Sequence, residues 1–192
     1  MQIDPISSIK DADFIYQNTP VKILANRNNP KIDLPGFTVG PFKEGQEYEV
    51  RLWVANELKK AGIARIRMDD PLDLMVLNKI QWKERVQTSQ KVTSVPDDFY
   101  PKLRRYLEEL NEEAIKKPEK RNDYEKAMNL SDDIARMRLK KIVSLASSSS
   151  KTQTSQILRS LTNEEKSIYS HLHTIISQWR NEILKSQRVV KT

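Results

Sequence analysis

The chain has 192 residues, 38% hydrophobic and 31% charged, with no cysteine and a formal net charge of +7. The missing cysteines exclude disulfides, thiolate nucleophiles and cysteine-ligated zinc, and no apolar run approaches the roughly 18–20 residues of a membrane span. The positive excess lies wholly in residues 71–192, with 23 Lys/Arg against 16 Asp/Glu, while residues 1–70 carry 10 of each.

Residues 1–20 are polar and read as an irregular lead-in without the basic-then-apolar pattern of a secretory signal, so an intracellular protein is expected. Val21–Ala25 predicts a short strand, followed by the turn-forming run Asn26-Arg27-Asn28-Asn29-Pro30. Ile32 to Val39, interrupted by Pro35 and Gly36, predicts a bulged or edge strand. Gly40-Pro41-Phe42-Lys43-Glu44-Gly45 is a turn. Glu47 to Leu52 then alternates, with Tyr48, Val50 and Leu52 on one face of a half-buried strand. Trp53, Val54, Leu58 and Ala61 recur at helical spacing, and Gly62 stands where a helix C-cap belongs. Ile63–Met68 closes this part as another strand. All four glycines lie between Gly36 and Gly62, and Asp69-Asp70-Pro71 marks a boundary, with a capping aspartate before a proline that opens a helix.

Beyond the boundary the pattern is helical. Leu72, Val76 and Ile80 form a stripe widened by Met75, Trp82 and Val86. Phe99, Leu103, Tyr106, Leu107, Leu110 and Ala114 form another, and Pro118 separates it from a long helix over about 123–147. On that helix the apolar residues cover roughly 240°, far more than the roughly 100° stripe of a surface helix. It is therefore either central in its bundle or covered by another protein, and Arg138 and Lys141 inside the arc argue against a wholly dry position. A Ser/Thr-rich connector, 147–155, leads to the capping box Thr162-Asn163-Glu164-Glu165 and a last helix with the face Ile168, Leu172, Ile175, Ile176, Trp179 and Ile183. From Lys185 the chain reads as a basic tail. The fold class is α+β: a small β-rich domain at 1–70, then a larger all-helical bundle domain at 71–192.

Chemistry is sparse. His171 and His173 project to nearly opposite sides of a helix and cannot share a metal. Asp69-Asp70 and Asp97-Asp98 read as helix caps, and Asp132-Asp133 points to different faces of its helix. There is no Gly-x-Ser-x-Gly elbow and no glycine-rich phosphate cradle, so no catalytic residue, cofactor or metal is expected. The cations are interleaved with acidic pairs rather than clustered. They read as solvated helix faces, with attraction of nucleic acid by counterion release as the other reading. Tyr48 and Trp53 read as core aromatics, and DNA contact is expected to be weak or indirect.

The Gly-Pro-Phe turn, the acidic strand and Leu52-Trp53-Val54-Ala55 with Leu58 and Ala61-Gly62 resemble the small β domain of GINS subunits. These are scaffold proteins of the archaeal and eukaryotic replicative helicase. The likeness covers residues 21–70 and extends over 71–186. Arg51 departs from the pattern, which has a proline or small residue there. The order of domains is similar to the archaeal subunit type that stands for two eukaryotic relatives at once. The resemblance implies a non-catalytic scaffold in a 2:2 tetramer with a sister subunit of reversed domain order. It also implies contact with the MCM helicase, a RecJ-like protein and primase or polymerase, at the nucleoid or, in a eukaryote, the nucleus. On this reading Leu130, Ile134, Met137, Leu139 and Ile142 on the long helix, with Tyr169 and Trp179 on the last, are the expected interface anchors. A double change of Ile134→Asp with Met137→Asp is then expected to abolish assembly.

Overall fold

The structure, a computed structural model, describes residues 4–67, 70–86, 92–148 and 158–188. The chain divides into two compact units, one of Asp13–Pro71 and one that joins residues up to Ala12 with those from Leu72 onward. The architecture is a small strand-containing region followed by a mostly helical one, as expected of an α+β chain.

The first element corrects the sequence reading. Residues 5–17 are not irregular but form α1 (Pro5–Gln17). Asp4 accepts a hydrogen bond from the Ser7 amide at 3.3 Å and Pro5 opens the helix, a capping aspartate before proline at the first helical position.

In the smaller unit a three-stranded antiparallel sheet has the order β4–β1–β5, with β1 (Pro20–Ala25) central between β4 (Glu47–Arg51) and β5 (Ala64–Arg67). Val21 pairs with Val50 and Ile23 with both Tyr48 and Ile66, so the apolar residues of all three strands share one face. α2 (Leu52–Lys60) contributes Val54, Ala55 and Leu58 to the same core. Its end follows the expected chemistry: Gly62 sits at φ +68°, the Gly62 amide donates to the Lys59 carbonyl at 3.0 Å and the Ile63 amide to Leu58 at 2.9 Å. That is a Schellman cap, completed by Ile63 and Leu58 in one core. Arg51 precedes the helix at φ −64°, ψ 145°, the backbone region that a proline would take, so the departure from the family pattern leaves the local geometry intact.

The stretch from Ile32 to Val39 is a hairpin rather than one bulged strand. β2 (Ile32–Leu34) pairs with β3 (Phe37–Val39), with Pro35 and Gly36 as the central residues of a tight turn. Asn29 and Phe42 exchange backbone hydrogen bonds of 2.9 Å each, which seats the Phe42 ring in the core beside Tyr48 at 5.1 Å.

The larger unit is built on α5 (Arg121–Ser147), against which α3 (Leu74–Val86), α4 (Phe99–Lys116) and α6 (Asn163–Arg188) all pack. A short 3-10 turn, Pro118–Lys120, joins α4 to α5. Central burial thus accounts for most of the wide apolar arc of α5. α4 buries the face read from its spacing, Phe99 and Leu103 with Tyr106, Leu107 and Leu110 against them. α3 does so only in part. It begins at Leu74, its N-terminus capped by Asp73, which accepts from the Val76 amide at 2.8 Å, so Asp70-Pro71 lies before the helix. Its buried residues are Leu77 and Glu84, while Met75, Trp82 and Val86 face solvent. Asp98 precedes α4, but its carboxylate pairs with Lys102 at 3.0 Å and makes no capping bond. α6 runs to Arg188, well into the stretch read as a basic tail. Met68, Asp69, connector residues 149–155 and the final residues 189–192 lie outside the described residues.

Candidate assembly surface

Two apolar clusters lie along α5, Ala127 and Ile134 in one, Ile142, Leu145 and Ala146 in the other. Between them is a polar layer centred on Arg138, whose side chain is 0% exposed. Its guanidinium grips Glu165 in a fork, Nε to Oε1 at 2.6 Å and Nη2 to Oε2 at 2.7 Å. Nη1 donates to Glu84 Oε1 at 2.6 Å and to the Thr93 carbonyl at 2.7 Å, and Nη2 reaches the Ser160 carbonyl at 3.4 Å. Lys141 Nζ donates to Glu84 Oε2 at 2.5 Å and to the Glu84 carbonyl at 2.9 Å, placing a cation on the last turn of α3, where the helix dipole favours one. Tyr100 donates to Glu165 Oε1 at 2.7 Å.

The capping box read from the sequence is present, with the Thr162 amide on Glu165 Oε2 at 3.0 Å and the Glu165 amide on Thr162 Oγ1 at 3.4 Å. One carboxylate therefore both caps α6 and neutralises Arg138. Burial alone would lower the Arg138 pKa, but the Glu165 hydrogen bonds and charge outweigh it and hold the guanidinium above its ordinary value. The Tyr100 hydroxyl is also pushed up, first by burial and then by the neighbouring Glu165. The layer is paired and closed to solvent, so its part is structural: it sets the angle and register of α6 on α5.

That register leaves an apolar stripe uncovered. Glu165 meets Arg138 early in the pairing, and Arg180 Nη2 reaches the Ser147 carbonyl at 3.1 Å near its end. The two helices therefore run in the same sense, and α5 ends there while α6 continues. Ile168, Leu172 and Ile176 pack inward, whereas Ile175, Trp179 and Ile183 are 60%, 65% and 57% exposed. At i, i+4, i+8 these three form a continuous strip on one face. Leu139 and Val143 of α5 are also exposed.

The expected interface anchors divide into buried and exposed residues. Ile134, Ile142 and Tyr169 belong to the core of the chain itself, Leu130 and Met137 are half-buried, and Leu139 and Trp179 are exposed. The change Ile134→Asp would thus break a core rather than report on assembly. Ile175 and Ile183 are apolar-face residues in the sequence reading too. Which apolar-face residues a neighbouring helix covers is a matter of packing, which periodicity does not carry.

The remaining candidates resolve simply. His171 Nδ1 lies 3.0 Å from the Ser167 carbonyl, and His173 stacks on Tyr169 with ring centroids 5.8 Å apart. Asp132 pairs with Arg136 at 2.6 Å, and Asp133 accepts from Gln81 at 2.8 Å. Among the described residues no group of three or more His, Asp or Glu could hold a metal ion, and no helix is long and apolar enough to cross a membrane.

Comparison with known proteins matches both units. Residues 8–67 fit the family model described as the PSF2 N-terminal domain, and residues 72–184 fit the GINS complex protein helical bundle domain. The chain is 31% identical over 97 residues to the DNA replication complex GINS protein PSF2 of Homo sapiens, covering 50% of this chain and 51% of that protein. It is 29% identical over 97 residues to the protein of the same name in Xenopus laevis, with the same two shares. Against the probable DNA replication complex GINS protein PSF2 of Drosophila melanogaster it is 32% identical over 88 residues, 46% of this chain and 42% of that one. The chain spans about half the length of the curated relatives it matches. With a helical-bundle match over more than half its residues and an N-terminal match beside it, the chain belongs to the family of GINS complex subunits, of the PSF2 type.

Proposed function

We propose that the chain is a non-catalytic scaffold subunit of a GINS complex in DNA replication, linking the MCM helicase to a RecJ-like partner and stimulating unwinding at the fork. In this reading it follows the archaeal, β-domain-first arrangement, in which two copies pair with two copies of a sister subunit of reversed domain order. Primase or polymerase is a further contact, and the complex works inside the cell, at the nucleoid or in the nucleus.

The observation that carries the reading is the strip Ile175–Trp179–Ile183 with Leu139 and Val143 nearby, exposed in a chain whose family is one of complex subunits. An aromatic flanked by aliphatic side chains on a rigid helix is the composition that anchors protein interfaces. Sister-subunit docking on this strip would bury it, and the polar layer around Arg138 would hold it in place. The work is positional, with no chemistry asked of any side chain.

The test is recovery of the tagged protein from lysate of its own organism after nuclease digestion, with partners identified by mass spectrometry. The expected result is a sister GINS subunit in stoichiometric amount, with MCM or a RecJ-like protein. Recovery of no partner once nucleic acid is digested would overturn the scaffold reading and favour a sequence-nonspecific DNA-binding module acting through its basic helical unit.

A further inference from the structure

α3 carries a second uncovered strip, for which the assembly reading has no use. Met75, Trp82 and Val86 are 78%, 62% and 62% exposed. At about 100° per residue the three fall within about 40° of one another, and they span about 16 Å of helix axis, three turns. Lys79 and Lys83 lie along one margin and Arg85 along the other, all three exposed. Among the described residues no hydrogen bond or ion pair holds any of these cations. Elsewhere in the same unit some exposed or half-exposed basic side chains have partners, Arg121 with Glu125 at 3.1 Å, Arg136 with Asp132 at 2.6 Å and Lys102 with Asp98 at 3.0 Å, while others such as Lys126 and Lys140 stand as the three on α3 do. Beside the strip, between α3 and α5, is an open cavity of about 340 Å³ whose lining includes Leu74, Asn78, Asn129 and Lys126. Its carboxamides can both donate to and accept from a peptide.

We propose that α3 docks an amphipathic helix of a partner protein, with the partner's apolar stripe covering Met75, Trp82 and Val86 and its Asp or Glu margins meeting Lys79, Lys83 and Arg85. Length and shape fit the helix-on-helix mode of recognition, in which anchors repeat at i, i+4 and i+7. Trp82 supplies the large aromatic anchor, and cations on both margins select an acidic partner and steer its approach. A second copy of this chain is disfavoured by symmetry, since a two-fold pairing of α3 with itself sets Lys79, Lys83 and Arg85 against the same cations. Nucleic acid would leave Met75 and Val86 without apolar cover, and Trp82 offers one stacking platform where single-strand tracks use several in succession.

Two labelled helical probe peptides of about 18 residues, long enough to hold some helix alone, share a leucine stripe and differ only in having Glu or Lys margins. Fluorescence anisotropy with the full chain should give at least about tenfold tighter binding of the Glu-margined peptide at low salt, a ratio that shrinks as salt rises. Trp82→Ala, at an exposed position, should keep the circular dichroism spectrum and weaken that peptide about tenfold or more. The combined Lys79→Glu, Lys83→Glu and Arg85→Glu variant should reverse the preference. Equal binding of the two peptides, or binding unchanged by Trp82→Ala, would overturn the proposal. So would displacement of the peptide by a thymidine oligonucleotide, or self-association in sedimentation that Trp82→Ala abolishes.

Discussion

Replacing Arg138 with methionine removes the donor of five hydrogen bonds while filling much of the same volume. Glu84 keeps Lys141 and the Thr93 amide. Glu165 loses its fork and retains only the Tyr100 hydroxyl and the Thr162 amide. A buried carboxylate stripped of its counterion costs about 3–5 kcal/mol, a large share of a domain's total of about 5–15 kcal/mol. With a urea slope of about 2 kcal/mol per molar, a loss of about 4 kcal/mol lowers the unfolding midpoint by about 2 M. The assay is urea denaturation followed by circular dichroism at 222 nm, which reports the helical unit. Combining Arg138→Met with Glu165→Met removes the stranded charge, so the double variant should cost at least about 2 kcal/mol less than the two single losses added together. A single-variant loss below about 1 kcal/mol, or strict additivity, would refute the assignment of this layer as the device that seats α6.

Trp179→Glu should leave folding unchanged within about 0.5 kcal/mol and weaken capture of a sister subunit at least about 30-fold. Ile134→Asp should instead unfold the helical unit, and wild-type thermal stability in that variant would contradict the burial described. The raised pKa of Tyr100 means that its stabilising hydroxyl bond is fully present below about pH 10 and lost as pH climbs beyond it. Tyr100→Phe should therefore flatten the alkaline decline of stability by up to about 1.4 kcal/mol per pH unit, read from urea titrations at about pH 9–11. Gly40 sits at φ +85°, and a Cβ there would lie 3.2 Å from the Phe42 ring. Gly40→Ala should cost the small unit about 1–2 kcal/mol, measured as a drop in melting temperature.

What the sequence disclosed depended on whether a local rule had tertiary competition. The strand–helix–strand run from Glu47 was legible because alternation, helical spacing and the Gly62 cap all agreed. The aspartate-proline signal was read at Asp70-Pro71, where the helix starts later on Asp73, and missed at Asp4-Pro5, where α1 uses it. Only the residues that follow distinguish the two, and α1 is too polar for its period to stand out. At α3 the central stripe of Leu72 and Ile80 does face the core, but it extends toward Leu77 and Glu84 rather than toward Met75, Trp82 and Val86, because hydropathy counts the buried Glu84 as surface. The interface anchors split for a related reason. Periodicity finds which face of α5 or α6 is apolar, but not which residues of that face a neighbouring helix covers.

Arg138 also sets an order of events on the ribosome. Its two carboxylate partners lie 54 residues before it and 27 after it in the chain. As the nascent chain emerges, α3 through α5 can gather around the first apolar cluster, but the guanidinium has no fork to close on until Glu165 has cleared the exit tunnel. Among the described helices, the one made latest is the one that seals the interior. A chain cut short before it would carry a half-paired charge at the centre of its fold.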